Sequence, residues 1–184
     1  MHRLLFAFAL LMACATAARA QDPAPSQDNE RLRAIYREDQ QARQKQPIDW
    51  SVVADQDRAH RAEVRALLQA GGVRTSADHF HAAMVFQHGE ELDDIRLAFA
   101  LAQVSATLDP SRKQARWLSA ASWDRMLMQK NVPQWYGTQY HQPLPGGPTE
   151  LYKIDETAIS DAERAAMGVP SLQEARDLLE QINQ

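Results

Sequence analysis

From Asn29 onward the apolar residues recur three and four positions apart, and prolines and glycines gather in the gaps between these stretches. Apolar groups at that spacing share one face of an α-helix, whereas a half-buried strand needs strict alternation. The first stretch, about Asn29 to Lys45, places Leu32, Ile35, Tyr36 and Asp39 on one face, and Pro47 ends it. The second, about Trp50 to Ala70, aligns Val53, Asp57, His60, Val64 and Leu67 and stops at Gly71-Gly72. A third starts after Ser76, read as its N-cap, and Gly89 closes it. Its Phe80 to Phe86 segment is apolar nearly all round, the pattern of a central helix. The fourth, about Glu91 to Thr107, carries Leu92, Ile95, Phe99, Ala102 and Ala106, and the fifth, about Ser111 to Lys130, lines up Trp117, Ala121, Asp124 and Met128.

Between Asn131 and Pro148 the helical period breaks, because four of the nine prolines and three of the seven glycines fall there. An irregular segment of that length inside a compact domain is usually functional or disordered, and Trp135, Tyr136 and Tyr140 favour a packed loop. Glu150 to Ile154 has the composition of a short strand without an evident pairing partner, and Asp161 to Met167 and Leu172 to Ile182 read as two closing helices. The expected fold is therefore all-α, a single helical-bundle domain over residues 29–184 with about five main helices, a long irregular loop and short C-terminal helices.

Ahead of the bundle, Met1-His2-Arg3 is basic, Leu4 to Ala13 is apolar, and Ala18-Arg19-Ala20 offers small residues at the cleavage-determining positions. Residues 1–20 thus read as a bacterial export signal, and residues 21–28 as a flexible, proline-bearing tether. The expected destination is the periplasm, with no transmembrane span in the mature form. A competing reading takes Leu11-Met12-Ala13-Cys14 as a lipobox, with Cys14 as a lipid anchor and the product a membrane-anchored lipoprotein. Cys14 is the only cysteine, so either reading excludes a disulfide framework and a zinc–thiolate centre. The full chain has a formal charge of −4, and loss of Arg3 and Arg19 with the leader makes it more acidic. That balance argues against a nucleic-acid partner.

The informative residues are those that interrupt the apolar stripes. Asp39, Asp57, His60 and Asp124 stand where inward-facing apolar groups were due. A carboxylate on an inward face must be paired, hydrogen-bonded or protonated, since an uncompensated buried charge costs several kcal/mol or more. Arg43 lies one turn from Asp39, forming with Asp57 and His60 a polar seam that either builds a site or merely fixes helix register. Arg125 adjoins Asp124, and His88 ends the third helix beside Gln87, where it is either a catalytic imidazole or a C-terminal cap. The segment Gln134-Trp135-Tyr136-Gly137-Thr138-Gln139 is dense in hydrogen-bonding side chains around a glycine. It is either a ligand-reading loop or an Ω-loop that plugs the end of the bundle, and His141 follows close behind.

Taken together, Gln87-His88, Asp124-Arg125 on a later helix, and Gln134 followed by Tyr136-Gly137-Thr138-Gln139 resemble the bacterial domain of unknown function numbered 6624. The spacing from Asp-Arg to the Q-x-YGTQ segment is the specific part; Asp39-Gln40 with Arg43 and the closing Arg164 to Pro170 stretch are weaker supports. The similarity spans about Glu30 to Gln181. It departs from the family pattern at Gly89-Glu90, where relatives carry alanine and aspartate, and at Val169, where leucine is usual. The resemblance implies the same choice of site residues and no particular reaction.

Three functions compete on this reading. The first is a protein that binds a small polar ligand, with or without hydrolysing it, through a pocket of Gln87, His88, Asp124, Arg125, Gln134, Tyr136, Gly137, Thr138 and Gln139. In it Asp124 orients His88 as a general base and Arg125 holds an anionic group. The second is a non-catalytic envelope interaction module whose buried polar residues only set register. The third is a metal-binding bundle using Asp57-x-x-His60 or Asp78-x-x-His81 with Asp39 and Asp124, an arrangement weakened by the short reach of aspartate. No metal or cofactor is assigned, and no serine-nucleophile, P-loop or dinucleotide motif narrows the reaction.

Overall fold

A computed structural model describes residues 27–184. The segment read as an export signal, most of the expected tether and Cys14, the alternative lipid-anchor position, lie outside the described residues. The elements in chain order are α1 (Glu30–Gln44), α2 (Trp50–Gln69), α3 (Ser76–Gln87), α4 (Leu92–Leu108), α5 (Lys113–Gln129), β1 (Tyr140–His141), β2 (Glu150–Leu151), α6 (Asp161–Ala166) and α7 (Leu172–Ile182). The architecture is a mainly α-helical bundle, as the periodicity requires.

Side-chain caps set the helix starts. Asn29 accepts from the Leu32 amide at the head of α1, and Asp49 accepts from Ser51 and Val52 at the head of α2. At α3 the cap is Thr75, one residue before the expected Ser76, because Thr75 and Asp78 complete a reciprocal capping box. Ser76 is instead the first helical residue, and its hydroxyl bonds the Ser105 carbonyl at 2.9 Å, pinning α3 to α4.

Helix α3 is central and packs against α1, α2, α4 and α5. Its Phe80, Ala82, Ala83, Val85 and Phe86 meet Leu32 and Ile35 of α1, Val64 of α2, Ala98, Leu101 and Ala102 of α4, and Ala115 and Leu118 of α5 in one buried cluster. The alanines on α3, α4 and α5 let these backbones approach closely, while Leu32, Ile35 and Leu118 are fully buried. Each such side chain contributes about 1.5–3 kcal/mol of burial. On α5 two members of the expected line, Ala121 and Asp124, are buried, with Leu118, Ser119 and Ser122 beside them, while Trp117 stays 40% exposed on an apolar cleft with Tyr36, Phe80 and Met84. Small residues buried against the neighbouring helices, more than the largest apolar ring, decide how α5 rolls.

The segment after α5 supplies the missing strand partner. Tyr140 pairs with Leu151 and His141 with Glu150 in an antiparallel ribbon, and Gln134 bridges Ile154 in parallel. Among the described residues no helix is long and apolar enough to cross a membrane.

Candidate functional site

The buried stripe of α1 runs Leu32, Ile35, Asp39, Ala42, and that of α2 runs Val53, Asp57, His60, Val64, so both helices bring carboxylates inward as their periods dictate. Arg43 joins them, donating to Asp39 Oδ1 at 3.0 Å and to Asp57 Oδ2 at 2.6 Å. The third partner comes from the C-cap of α3. His88 Nδ1 lies 2.9 Å from Asp39 Oδ1 across 49 residues of sequence, and Gln40 donates to Asp39 Oδ2 at 2.7 Å. Asp39 is 1% exposed. Burial pushes its carboxyl up, but the hydrogen bond and charge of His88, the charge of Arg43 and the Gln40 amide outweigh burial and hold it below the ordinary carboxylate value.

With Nδ1 donated to a carboxylate, Nε2 is the nitrogen left with a lone pair. Nε2 has no partner among the described residues, and His88 lines a cleft of about 420 Å³ together with Arg43, Trp50, Val53, Ala54, Asp57, Arg61, Glu90 and Arg125. Arg61 is fixed by Asp94 at 3.2 Å and by the His88 carbonyl at 3.3 Å. Asp94 in turn packs on Gly89: a Cβ at Gly89 would fall 2.3 Å from the Asp94 Cβ, so the turn after His88 needs a residue without a side chain. Arg125 differs from its neighbours. Among the described residues it has no carboxylate within 4.0 Å and no hydrogen bond, and its Nε is buried without a partner. Burial, reinforced by the charge of Arg43, pushes its guanidinium below its ordinary value.

The other half of the predicted pocket is elsewhere. Asp124 does not orient His88; that carboxylate is Asp39. Asp124 is completely buried and accepts from the amides of Trp135 at 2.8 Å, Tyr136 at 3.0 Å and Thr138 at 3.0 Å, and from the Thr138 hydroxyl at 2.8 Å. Gln134, also fully buried, donates to the carbonyls of Gln139 and Tyr152 and accepts from the Gln139 amide. Gln139 reaches back to the Ala121 carbonyl at 3.1 Å, and Gly137 turns at φ +85° with Leu172 and Ile154 against it. Burial, then the charge of Asp124, pushes the half-buried Tyr136 phenol up. Apart from the Tyr136 phenol and the Trp135 indole, which make no hydrogen bond among the described residues, the loop spends its hydrogen-bonding groups on its own backbone and on α5. Gln87 is likewise turned inward, accepting from the Ser122 hydroxyl at 2.7 Å.

Arg164, which sequence reasoning did not single out, completes this knot. It is 2% exposed and donates to the carbonyls of Trp135, Tyr136 and Ile159. Its position within the RxxxG stretch was visible, but nothing local to α6 signals a buried arginine. Trp50 and Arg61 of α2 and Glu90 in the turn before α4 were missed because they lie off the buried stripes that the helical period picks out.

Asp39, Asp57 and His60 also offer ligand atoms within 4.8 Å of one another, the geometry of a potential metal site. The Arg43 guanidinium already sits between the two carboxylates and fills the role of a cation there. His60 contacts Glu38 at 3.3 Å through Nε2, and its Nδ1 is buried without a partner. The second pairing considered, Asp78-x-x-His81, does not form: Asp78 accepts from the amides of Asn29, Arg74 and Thr75, while His81 stacks on Tyr36 at 4.5 Å. His141 lies in β1 with its ring edge-on to Tyr152.

No protein-family model, curated protein or solved structure matches this chain.

Proposed function

We propose that this bundle is an exported, periplasmic protein that binds a small polar ligand in the cleft beside His88, and that His88 serves there as a general base. The carrying observation is the Asp39–His88 pair: a fully buried carboxylate holds Nδ1 at 2.9 Å and leaves Nε2 open to the cleft. An imidazole oriented in that way accepts a proton from a bound hydroxyl or from water, and the carboxylate stabilises the imidazolium that results. Hydrolysis of a small polar substrate follows when the deprotonated water attacks it, the bond to the leaving group breaks, and the imidazolium returns its proton to that group. The leader read in residues 1–20 supports export, with the lipid anchor at Cys14 as the alternative placement. The resemblance to the domain numbered 6624 supports His88 and Arg125 as site residues. The loop from Gln134 to Gln139 supports the site from behind rather than reading the ligand.

The test is a thermal-shift ligand screen on wild type and His88→Ala, followed by turnover assays on ester, phosphoester and amide panels. A ligand bound by wild type is expected to bind His88→Ala more weakly, and any turnover is expected to vanish. A normally folded His88→Ala protein that binds every such ligand with unchanged affinity, and turns over every substrate at the wild-type rate, overturns the reading.

A further inference from the structure

Among the charged groups of the cleft, all but two are spoken for. Arg43 is clamped between Asp39 and Asp57, and Arg61 is held by Asp94 and by the His88 carbonyl. Glu90 is exposed at the rim, with no salt bridge among the described residues. Among the described residues of the cleft, Arg125 alone is a largely buried cation with no carboxylate within 4.0 Å. Desolvating a guanidinium without a counter-charge is costly, and a fold that needs only register or packing at this position is served better by an apolar side chain. Its Nε is sealed in the protein, so the terminal nitrogens are the part that meets the cleft, on the same surface as His88 Nε2 and a second guanidinium, Arg43. A planar fork of donors presented to a cleft matches the two oxygens of a carboxylate or a phosphate.

We infer that the cleft takes an oxyanion, a carboxylate or phosphate group of the ligand, on the guanidinium of Arg125, which places the adjoining part of the ligand at His88 Nε2. This deepens the proposed function and rests on it. Arg125 then acts as a counter-charge in waiting: its desolvation cost in the empty protein is recovered when the anion binds. Trp50, 63% exposed at the cleft, offers an apolar wall for the uncharged remainder of the ligand.

The experiment uses inorganic phosphate and succinate as separate probes, at constant ionic strength against chloride, with wild type, Arg125→Gln, Arg125→Lys and His88→Ala. Isothermal titration and thermal shift are read for each. Wild type is expected to bind at least one probe, Arg125→Gln to bind it at least tenfold more weakly, and Arg125→Lys to fall between, because lysine keeps the charge but loses the fork. Which probe binds separates a phosphate ligand from a carboxylate one. Without any probe, Arg125→Gln is expected to melt at the wild-type temperature or above it, whereas a structural arginine would lower it. Equal binding by wild type and Arg125→Gln, or a clear loss of stability in Arg125→Gln without ligand, overturns the inference. Binding of neutral polar ligands that depends on His88, with no oxyanion bound, overturns it while leaving the His88 cleft intact. No effect of His88→Ala on any ligand removes both.

Discussion

Substituting Asp124 separates a structural carboxylate from a catalytic one. Its two oxygens accept from three backbone amides and one hydroxyl of the Trp135 to Thr138 turn, with no solvent contact. Asp124→Ala leaves those amides unsatisfied, and each buried donor stranded in this way costs about 1–3 kcal/mol. Three such donors set a loss of about 3–9 kcal/mol, a large share of the roughly 5–15 kcal/mol that a domain commands. Asp124→Asn retains one carbonyl oxygen but turns an NH2 toward donors, so about half that loss is expected. At about 2–4 °C per kcal/mol, the Asn variant should melt roughly 3–18 °C below wild type. Urea unfolding followed by tryptophan fluorescence reads the change directly, because Trp135 lies 4.9 Å from Trp123, centroid to centroid, in the same knot. His88→Ala, whose side chain is partly exposed, should cost about 1 kcal/mol or less, since Asp39 keeps Arg43 and Gln40. An Asp124→Asn protein within about 0.5 kcal/mol of wild type would refute the assignment of Asp124 as the anchor of this loop.

The same reasoning extends to other positions. Gly137→Ala should lose about 1–2 kcal/mol in denaturant melts, since φ +85° disfavours any side chain and the new methyl would meet Leu172 Cδ2 at 3.3 Å. Arg164→Met should cost about 2–4 kcal/mol by stranding the carbonyls of Trp135, Tyr136 and Ile159, and hydrogen exchange should quicken at Trp135 to Thr138 before it does in α3. The depressed carboxyl of Asp39 predicts an acid limb of defined sign. The unfolded chain, titrating near 3.8, binds a proton before the native state does, so this contribution is complete above that value and is lost as pH falls through the lower native one. Asp39→Asn should be less stable than wild type near neutrality and converge toward it below about pH 4 in urea melts run as a pH series.

Much of this was legible because one period governs it. The stripes of α1 and α2 named Asp39, Asp57 and His60 as inward residues, and all three are buried. The pairing of Asp39 with His88 was not legible, since its partners are 49 residues apart and no local pattern relates the tail of α3 to the middle of α1. Asp124 and Arg125 misled by adjacency. Consecutive helical residues point about 100° apart, so the two side chains serve different surfaces: Asp124 faces the loop and Arg125 the cleft. The loop misled by chemistry, because the amides and hydroxyls that could read a ligand are the same groups that satisfy a buried turn.

That adjacency also couples the two surfaces. Arg125 has no polar partner among the described residues to fix its position, so its place in the cleft depends on how α5 is seated. The last turns of α5 are seated by the bonds that Asp124 and Ala121 make to the loop, with Arg164 closing the loop from the other side. Loosening that knot shifts the helix that carries Arg125 without touching the cleft. Ligand affinity should therefore fall in Arg164→Met and Gly137→Ala by a factor that tracks their loss of stability, whereas in Arg125→Gln it falls with stability unchanged. The two classes of variant divide the residues that build the site from the one that meets the ligand.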